Sequence, residues 1–235
     1  LLKSAVVAKL LGRHTVGFSK NSIREKLAAR LYTQTVEIDY AQNVIKRNLK
    51  VLCEPLGIGL DAASDAVANK AAFLYYQPLQ QNTPMVQGRK NVALVLGASR
   101  PNKVYPIERF VDLANALERD FNAHCVLIWG NAEELAAAQF VAQRAAHKDN
   151  ATVAPKLSLN DLKAVLAQAD LVIGGDTGPT HCAWGLNVPS ITIFGNTPEQ
   201  RNTWVGEFNR VVKSSSKVDP LRLDAADFSI RDIPV

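Results

Sequence analysis

At 235 residues, with 47% hydrophobic and 21% charged side chains, the chain has the make-up of an ordinary globular protein and not of a disordered one. It is long enough to bury one large core or two smaller ones, and no apolar run approaches the roughly 20 residues of a membrane-spanning helix. The formal charge is +5, and ten of the 27 basic residues lie in 1–50 against three of the 22 acidic ones. Such a segment suits an anionic partner such as nucleic acid, phospholipid or a phosphorylated sugar, or else it is a solvated helix face.

Residues 1–58 read as a helix running to about Leu11, a short strand at 15–18, a helix at 22–32 and a longer helix at 41–56. Asn21 or Ser22 is placed to cap the second helix and Gly57 to stop the third. The stretch 59–90 is polar and broken by Pro78, Pro84 and Gly88, which marks it as a linker. From residue 91 strand and helix alternate: strands at 92–98, 124–130, 151–155, 170–176 and 190–195 are separated by helices at 106–119, 133–146, 158–168 and 179–185. Near-continuous apolar strands between helices predict a parallel sheet covered on both faces, a doubly wound domain over 91–235.

Cys53, Cys125 and Cys182 lack metal-ligand spacing and suggest free thiols in a reducing compartment. His181 adjoins Cys182, but neighbours in sequence do not face one another on a helix, so a Cys–His nucleophile is a poor reading. No GxGxxG or Walker loop is present, which counts against nicotinamide-dependent oxidation and ATP hydrolysis.

In doubly wound sheets ligands bind beyond the carboxyl ends of the strands, so the residues there carry the functional information. After the fourth strand of this domain stands Gly174-Gly175-Asp176-Thr177-Gly178-Pro179-Thr180-His181. Proline favours the first helical turn, and the free amides of Thr177 and Gly178, aided by the helix dipole, suit a phosphate or diphosphate. The plainer alternative is that Asp176 or Thr177 caps the helix and His181 packs on it. Lys103 would add a point charge and Ser99 a hydroxyl at the same sheet edge, unless Lys103 is a solvated loop lysine. Glu134 could accept ribose hydroxyls, or serve as a first-turn acid that favours its own helix.

These loops together resemble those of the ADP-heptose:lipopolysaccharide heptosyltransferases, whose Asp-Thr-Gly-x-x-His motif stands here as Asp176-Thr177-Gly178-Pro179-Thr180-His181. Their x-x-Arg-x-x-Lys loop stands as Ala98-Ser99-Arg100-Pro101-Asn102-Lys103, their Trp-Gly segment as Trp129 through Glu134, and their Gly-x-Thr turn as Gly195-Asn196-Thr197. Leu2-Lys3-Ser4-Ala5 and Ile23-Arg24-Glu25-Lys26-Leu27-Ala28 look like segments of the type I branch.

The resemblance implies a GT-B architecture of two Rossmann-like domains, with 1–58 part of the acceptor-side domain, 59–90 the linker and 91–235 the ADP-sugar domain. It implies inverting transfer of heptose from ADP-heptose to the Kdo region of lipid A, at the inner face of the bacterial inner membrane. On that reading Ser99, Lys103, Glu134, Leu157, Asp176, Thr177, Gly178 and His181 bind the donor, and Arg24 contacts the acceptor. Leu157 would line the adenine. No metal, cofactor or nucleic acid is implied, and the basic segment would meet an anionic membrane surface. The catalytic base is expected upstream of Leu1, so that the chain as numbered would bind donor without transferring sugar. Heptosyltransferase II, another related glycosyltransferase and a non-catalytic nucleotide-sugar-binding module are the alternatives.

Overall fold

The computed structural model describes residues 2–69, 74–79 and 83–235, and the chain divides into two compact units. Leu1 of the expected first helix, and 70–73 and 80–82 of the expected linker, lie outside the described residues. Among the described residues no helix is long and apolar enough to cross a membrane.

The first unit comprises Leu1–Lys70 together with Gln200–Trp204 and Asp219–Leu223. It holds α1 (Leu2–Leu11), β1 (Val16–Phe18), a 3₁₀ helix Lys26–Leu31, β2 (Gln34–Val36), α2 (Val44–Cys53) and α3 (Leu60–Ala68). β1 and β2 pair in parallel, with Gly17 opposite Thr35. Gly17 is required there because a β-carbon would collide with the ring of Tyr32. Around it Ala5, Ile23 and Ala28 form a small core with Phe18, Leu31 and Tyr32 packed against them.

Three expectations for this region change. The helix placed at 22–32 is a set of bends followed by the 3₁₀ turn Lys26–Leu31. Ser22 cannot cap it, because its hydroxyl accepts the Ile38 amide (2.7 Å) and its carbonyl accepts the Arg47 guanidinium. The helix placed at 41–56 starts later, behind an Asn43 cap whose Oδ1 accepts the Ile45 amide, and closes through a 3₁₀ turn at Glu54–Leu56. Gly57 then ends it in the left-handed region at φ 67°, as its position predicts. Finally, α3 occupies the start of the expected linker and belongs to the first unit.

Arg47 is the unusual residue of this unit, for it is an arginine only 3% exposed. Its guanidinium donates to the carbonyls of Ser22, Ile38 and Asp39, and lies between the rings of Phe18 and Tyr40. Arg201 covers Tyr40 as well and donates to that residue's carbonyl. Burial, together with the charge of Arg201, pulls the Arg47 pKa below its ordinary value.

The second unit is a six-stranded parallel sheet in the order β5-β4-β3-β6-β7-β8. Its strands are β3 (Lys90–Val95), β4 (Ala123–Ile128), β5 (Ala151–Val153), β6 (Leu171–Gly175), β7 (Ser190–Phe194) and β8 (Asn209–Lys213). The chain order reverses between β3 and β6, the switch point of a doubly wound fold. Along β3 the side chains alternate between two cores: Val92 and Leu94 face α4 (Ile107–Phe121) and α5 (Ala132–Arg144), while Ala93 and Val95 face α6 (Leu159–Leu166) and α7 (Gly178–Gly185). Both faces of the sheet are thus dry, which is why its strands read as unbroken apolar runs.

The helix ends that open on the carboxyl edge follow local chemistry. Asn131 caps α5 by accepting the Glu134 amide, and Ser158 caps α6 by accepting the Asp161 amide while donating to its carboxylate. Opposite, at the amino edge, α4 closes through Asn122 at φ 49°, a conformation asparagine tolerates.

His124, 1% exposed at the start of β4, lies with Nδ1 3.0 Å from the Asp149 carbonyl oxygen, so Nδ1 carries the proton. Burial lowers its pKa below the ordinary 6.5. The unfolded chain therefore takes up a proton that the folded chain refuses, and stability falls as pH drops through 6.5 towards the folded-state pKa. Urea midpoints measured from pH 8 to 5.5 should fall with pH, and more steeply than those of His124→Gln; parallel curves would remove His124 from the account.

Candidate functional site

At the carboxyl edge of the second unit a cleft of about 620 Å³ opens over the ends of β3 and β4, beside β6. Gly97 and Ser99 enter it after β3, Trp129 to Glu134 after β4, Leu157 and Leu162 from the start of α6, and Thr177 and Pro179 from the start of α7. The fold explains this convergence. Parallel strands all point their carboxyl ends to one side, and the reversal at β3 and β6 sends the flanking helices to opposite faces, leaving a gap between the loops.

Of the residues singled out for donor binding, Ser99, Glu134, Leu157 and Thr177 line this cleft. Thr177 takes the N-cap position of α7, and its side chain makes no capping hydrogen bond. The residue at the cap is therefore Thr177 and not Asp176. Gly178 follows it, exposed, and a β-carbon there would stand in open space. The helix N-terminus is thus approachable, with its backbone amides and positive dipole end available to an anion.

Lys103, Asp176 and His181 stand beside the cleft as one hydrogen-bonded group. The alternative of a solvated loop lysine does not hold, since Lys103 Nζ lies 2.7 Å from Asp176 Oδ2, with side chains 16% and 7% exposed. His181 Nε2 is 2.9 Å from Asp176 Oδ1. A carboxylate only accepts, so Nε2 is the donor. Burial pushes the Asp176 pKa up, but hydrogen bonds from His181 and Lys103 and their charges outweigh it, holding the carboxyl far below its usual range. So firmly ionised a group is a poor proton acceptor and serves as an anchor for its donors.

Three residues had no assigned role in the sequence reading. Thr197, 2% exposed in the turn after β7, donates to Asp176 Oδ2 at 2.9 Å. Trp129 donates its indole N–H to the Ala154 carbonyl (2.7 Å), fixing the loop that walls the cleft. Gly97 leaves room for Glu134, because a β-carbon at 97 would collide with that carboxylate. Glu134 itself accepts from the Gly130 amide and the Asn131 side chain, so it is held on the cleft wall. A glycine directly after an apolar strand was the available signal for Gly97; nothing local marks Thr197 apart from its place between Gly195 and Pro198.

The thiols take no part. Burial raises Cys125 to about 12 and raises Cys182 too, while the His181 ring is engaged with Asp176.

Arg24 is exposed and belongs to the first unit. It is not among the residues lining the nearby cleft of about 500 Å³; Lys20, Lys26 and Arg30 are, together with Glu37. Three of the ten basic residues of 1–50 thus line this cleft, while Lys46 and Lys50 line another.

A parallel sheet with a cleft at its switch point, an approachable helix N-terminus and an acid on the cleft wall define a protein of the doubly wound α/β class whose cleft suits an anionic ligand. Comparison with known sequences makes this specific: glycosyltransferase family 9 (heptosyltransferase) matches residues 1–220, and the chain belongs to that family. It is 35% identical to lipopolysaccharide heptosyltransferase 1 of Campylobacter coli over 99% of this chain and 70% of that protein. The corresponding Pseudomonas aeruginosa protein is 30% identical over 84% of this chain and 52% of its own length. The chain thus spans between about half and 70% of these relatives. In fold it is similar to an E. coli heptosyltransferase solved with ADP, at TM-score 0.71 and 24% identity, over 96% of this chain and 66% of that one. The α/β architecture with parallel sheets is that of the solved heptosyltransferases, of the GT-B type.

The ion pair carries a stability prediction. Asp176→Asn keeps the shape but leaves Lys103 half-buried without its counter-charge, which should cost on the order of 3 kcal/mol. Urea unfolding near pH 7 checks this, and an unchanged midpoint would show that the pair is dispensable to folding.

Proposed function

We propose that this chain supplies the donor site of an inverting glycosyltransferase that moves heptose from ADP-L-glycero-D-manno-heptose to the Kdo region of lipid A. The observation that carries the proposal is the placement of the uncapped α7 N-terminus and the Lys103–Asp176–His181 group beside a cleft walled by Glu134. The relatives' names supply the sugar and the pathway, and the E. coli structure was solved with ADP.

In this reading the diphosphate lies against the amides of Thr177 and Gly178, with Ser99 and Lys103 reaching it from the loop after β3. The amides are held by the helix before the reaction, so they stabilise the charge that grows on departing ADP without reorganising. Glu134 holds the ribose and Leu157 lies along the adenine. The acceptor is met by the first unit, whose Arg24 and cluster of Lys20, Lys26 and Arg30 suit an acidic sugar and an anionic membrane surface.

Calorimetry tests the donor assignment. ADP should bind more tightly than adenosine, and Lys103→Ala should weaken ADP about tenfold or more, the worth of one hydrogen bond to a charged group, with adenosine little changed. Equal affinity of the unmodified chain for ADP and adenosine would overturn the diphosphate assignment. For the acceptor, Arg24→Ala should impair transfer to Kdo-lipid A while leaving ADP binding intact; unchanged acceptor kinetics would return Arg24 to an ordinary solvated residue.

A further inference from the structure

Lys103, His181 and Thr197 all donate to the Asp176 carboxylate, and they differ in how they are held. Thr197 is buried in the turn after β7 and His181 lies on α7, and both have short side chains with little reach. Lys103 reaches Asp176 on a flexible four-carbon stem that can swing to another acceptor. Oδ2 is the atom that would lose a partner if it did, because Lys103 and Thr197 share that oxygen at 2.7 and 2.9 Å while His181 holds Oδ1. Taking a donor from a buried carboxylate oxygen is costly, and Thr197 keeps a donor on Oδ2 when the lysine leaves.

We infer that Thr197 is a positioning residue for the donor site, keeping Asp176 satisfied so that Lys103 can turn its ammonium to the nucleotide's phosphates. The inference rests on the diphosphate reading of the cleft. Thr197 never touches the ligand; it acts by lowering the cost of Lys103's departure from the ion pair. His181 supports the same exchange from the other oxygen, so that it and Thr197 still donate to the carboxylate after the lysine has moved.

The test is a set of Kd values for ADP and adenosine measured on the full chain by calorimetry. Thr197→Val removes the hydroxyl at constant shape and should weaken ADP about tenfold, the loss of roughly one charge-assisted hydrogen bond, while adenosine affinity stays put. Thr197→Ser should restore ADP binding. In a double-mutant cycle Lys103→Ala with Thr197→Val should bind ADP no worse than Lys103→Ala alone, since the hydroxyl acts only through the lysine. Thr197→Ala repeats the measurement without a methyl against the carboxylate, should the valine variant fail to fold. Parallel losses for ADP and adenosine, or full additivity with Lys103→Ala, would show Thr197 to be structural only and overturn the inference. An unmodified chain that prefers ADP but is indifferent to Thr197→Val overturns the inference alone. One that binds ADP and adenosine equally removes the diphosphate reading and the inference together.

Discussion

A single buried carboxylate organises the site end of this protein. Asp176 draws Lys103 from the loop after β3, His181 from α7 and Thr197 from the turn after β7 onto two oxygen atoms. The helix that follows β6 and two segments more distant in sequence are thereby pinned to the end of that strand. Desolvation makes such a carboxylate expensive, and the compensation requires all its donors to arrive in register. That requirement fixes the loops around the cleft more tightly than apolar packing would, because hydrogen bonds are directional and packing is not.

Two kinds of recognition meet at the cleft. Glu134 is held on one wall by the Gly130 amide and the Asn131 side chain, a geometry that Gly97 makes possible by lacking a β-carbon. The N-terminus of α7 offers backbone dipoles that no side chain of Thr177 neutralises. An acidic wall and a positive helix end in one cleft suit a ligand that has both hydroxyls and phosphates.

The second unit was legible because its signal is redundant. Each strand of the central four is an unbroken apolar run ended by a polar or glycine-rich loop, and Ser158 caps its helix as the residue type predicts. The elements that went unread lacked such redundancy. β8 is an edge strand with alternating half-exposed residues, β2 is three residues long, and no residue of α3 is buried, so none shows a core stripe. The misplaced helix at 22–32 has a different cause: Ser22 looks like a cap in one dimension but spends its hydroxyl on Ile38 and its carbonyl on Arg47. In the site, Ser99, Glu134, Leu157 and Thr177 could be found because strand ends can be counted. The pairing of Lys103 with Asp176 could not, since 73 residues separate the partners and either alone suits a solvent-exposed role.

The chain passes from one unit to the other more than once, for Gln200–Trp204 and Asp219–Leu223 return to the first. Those returns supply partners that the amino-terminal segment lacks by itself. Asn43 donates to the carbonyls of Gln200 and Thr203, Arg201 covers Tyr40, and Lys46 lies over the Trp204 ring. The first unit is therefore not a contiguous cassette. Recombination that exchanged residues 1–70 as a block would import a surface tailored to the wrong residues 200–204, and a swap that preserves folding has to carry all three segments at once.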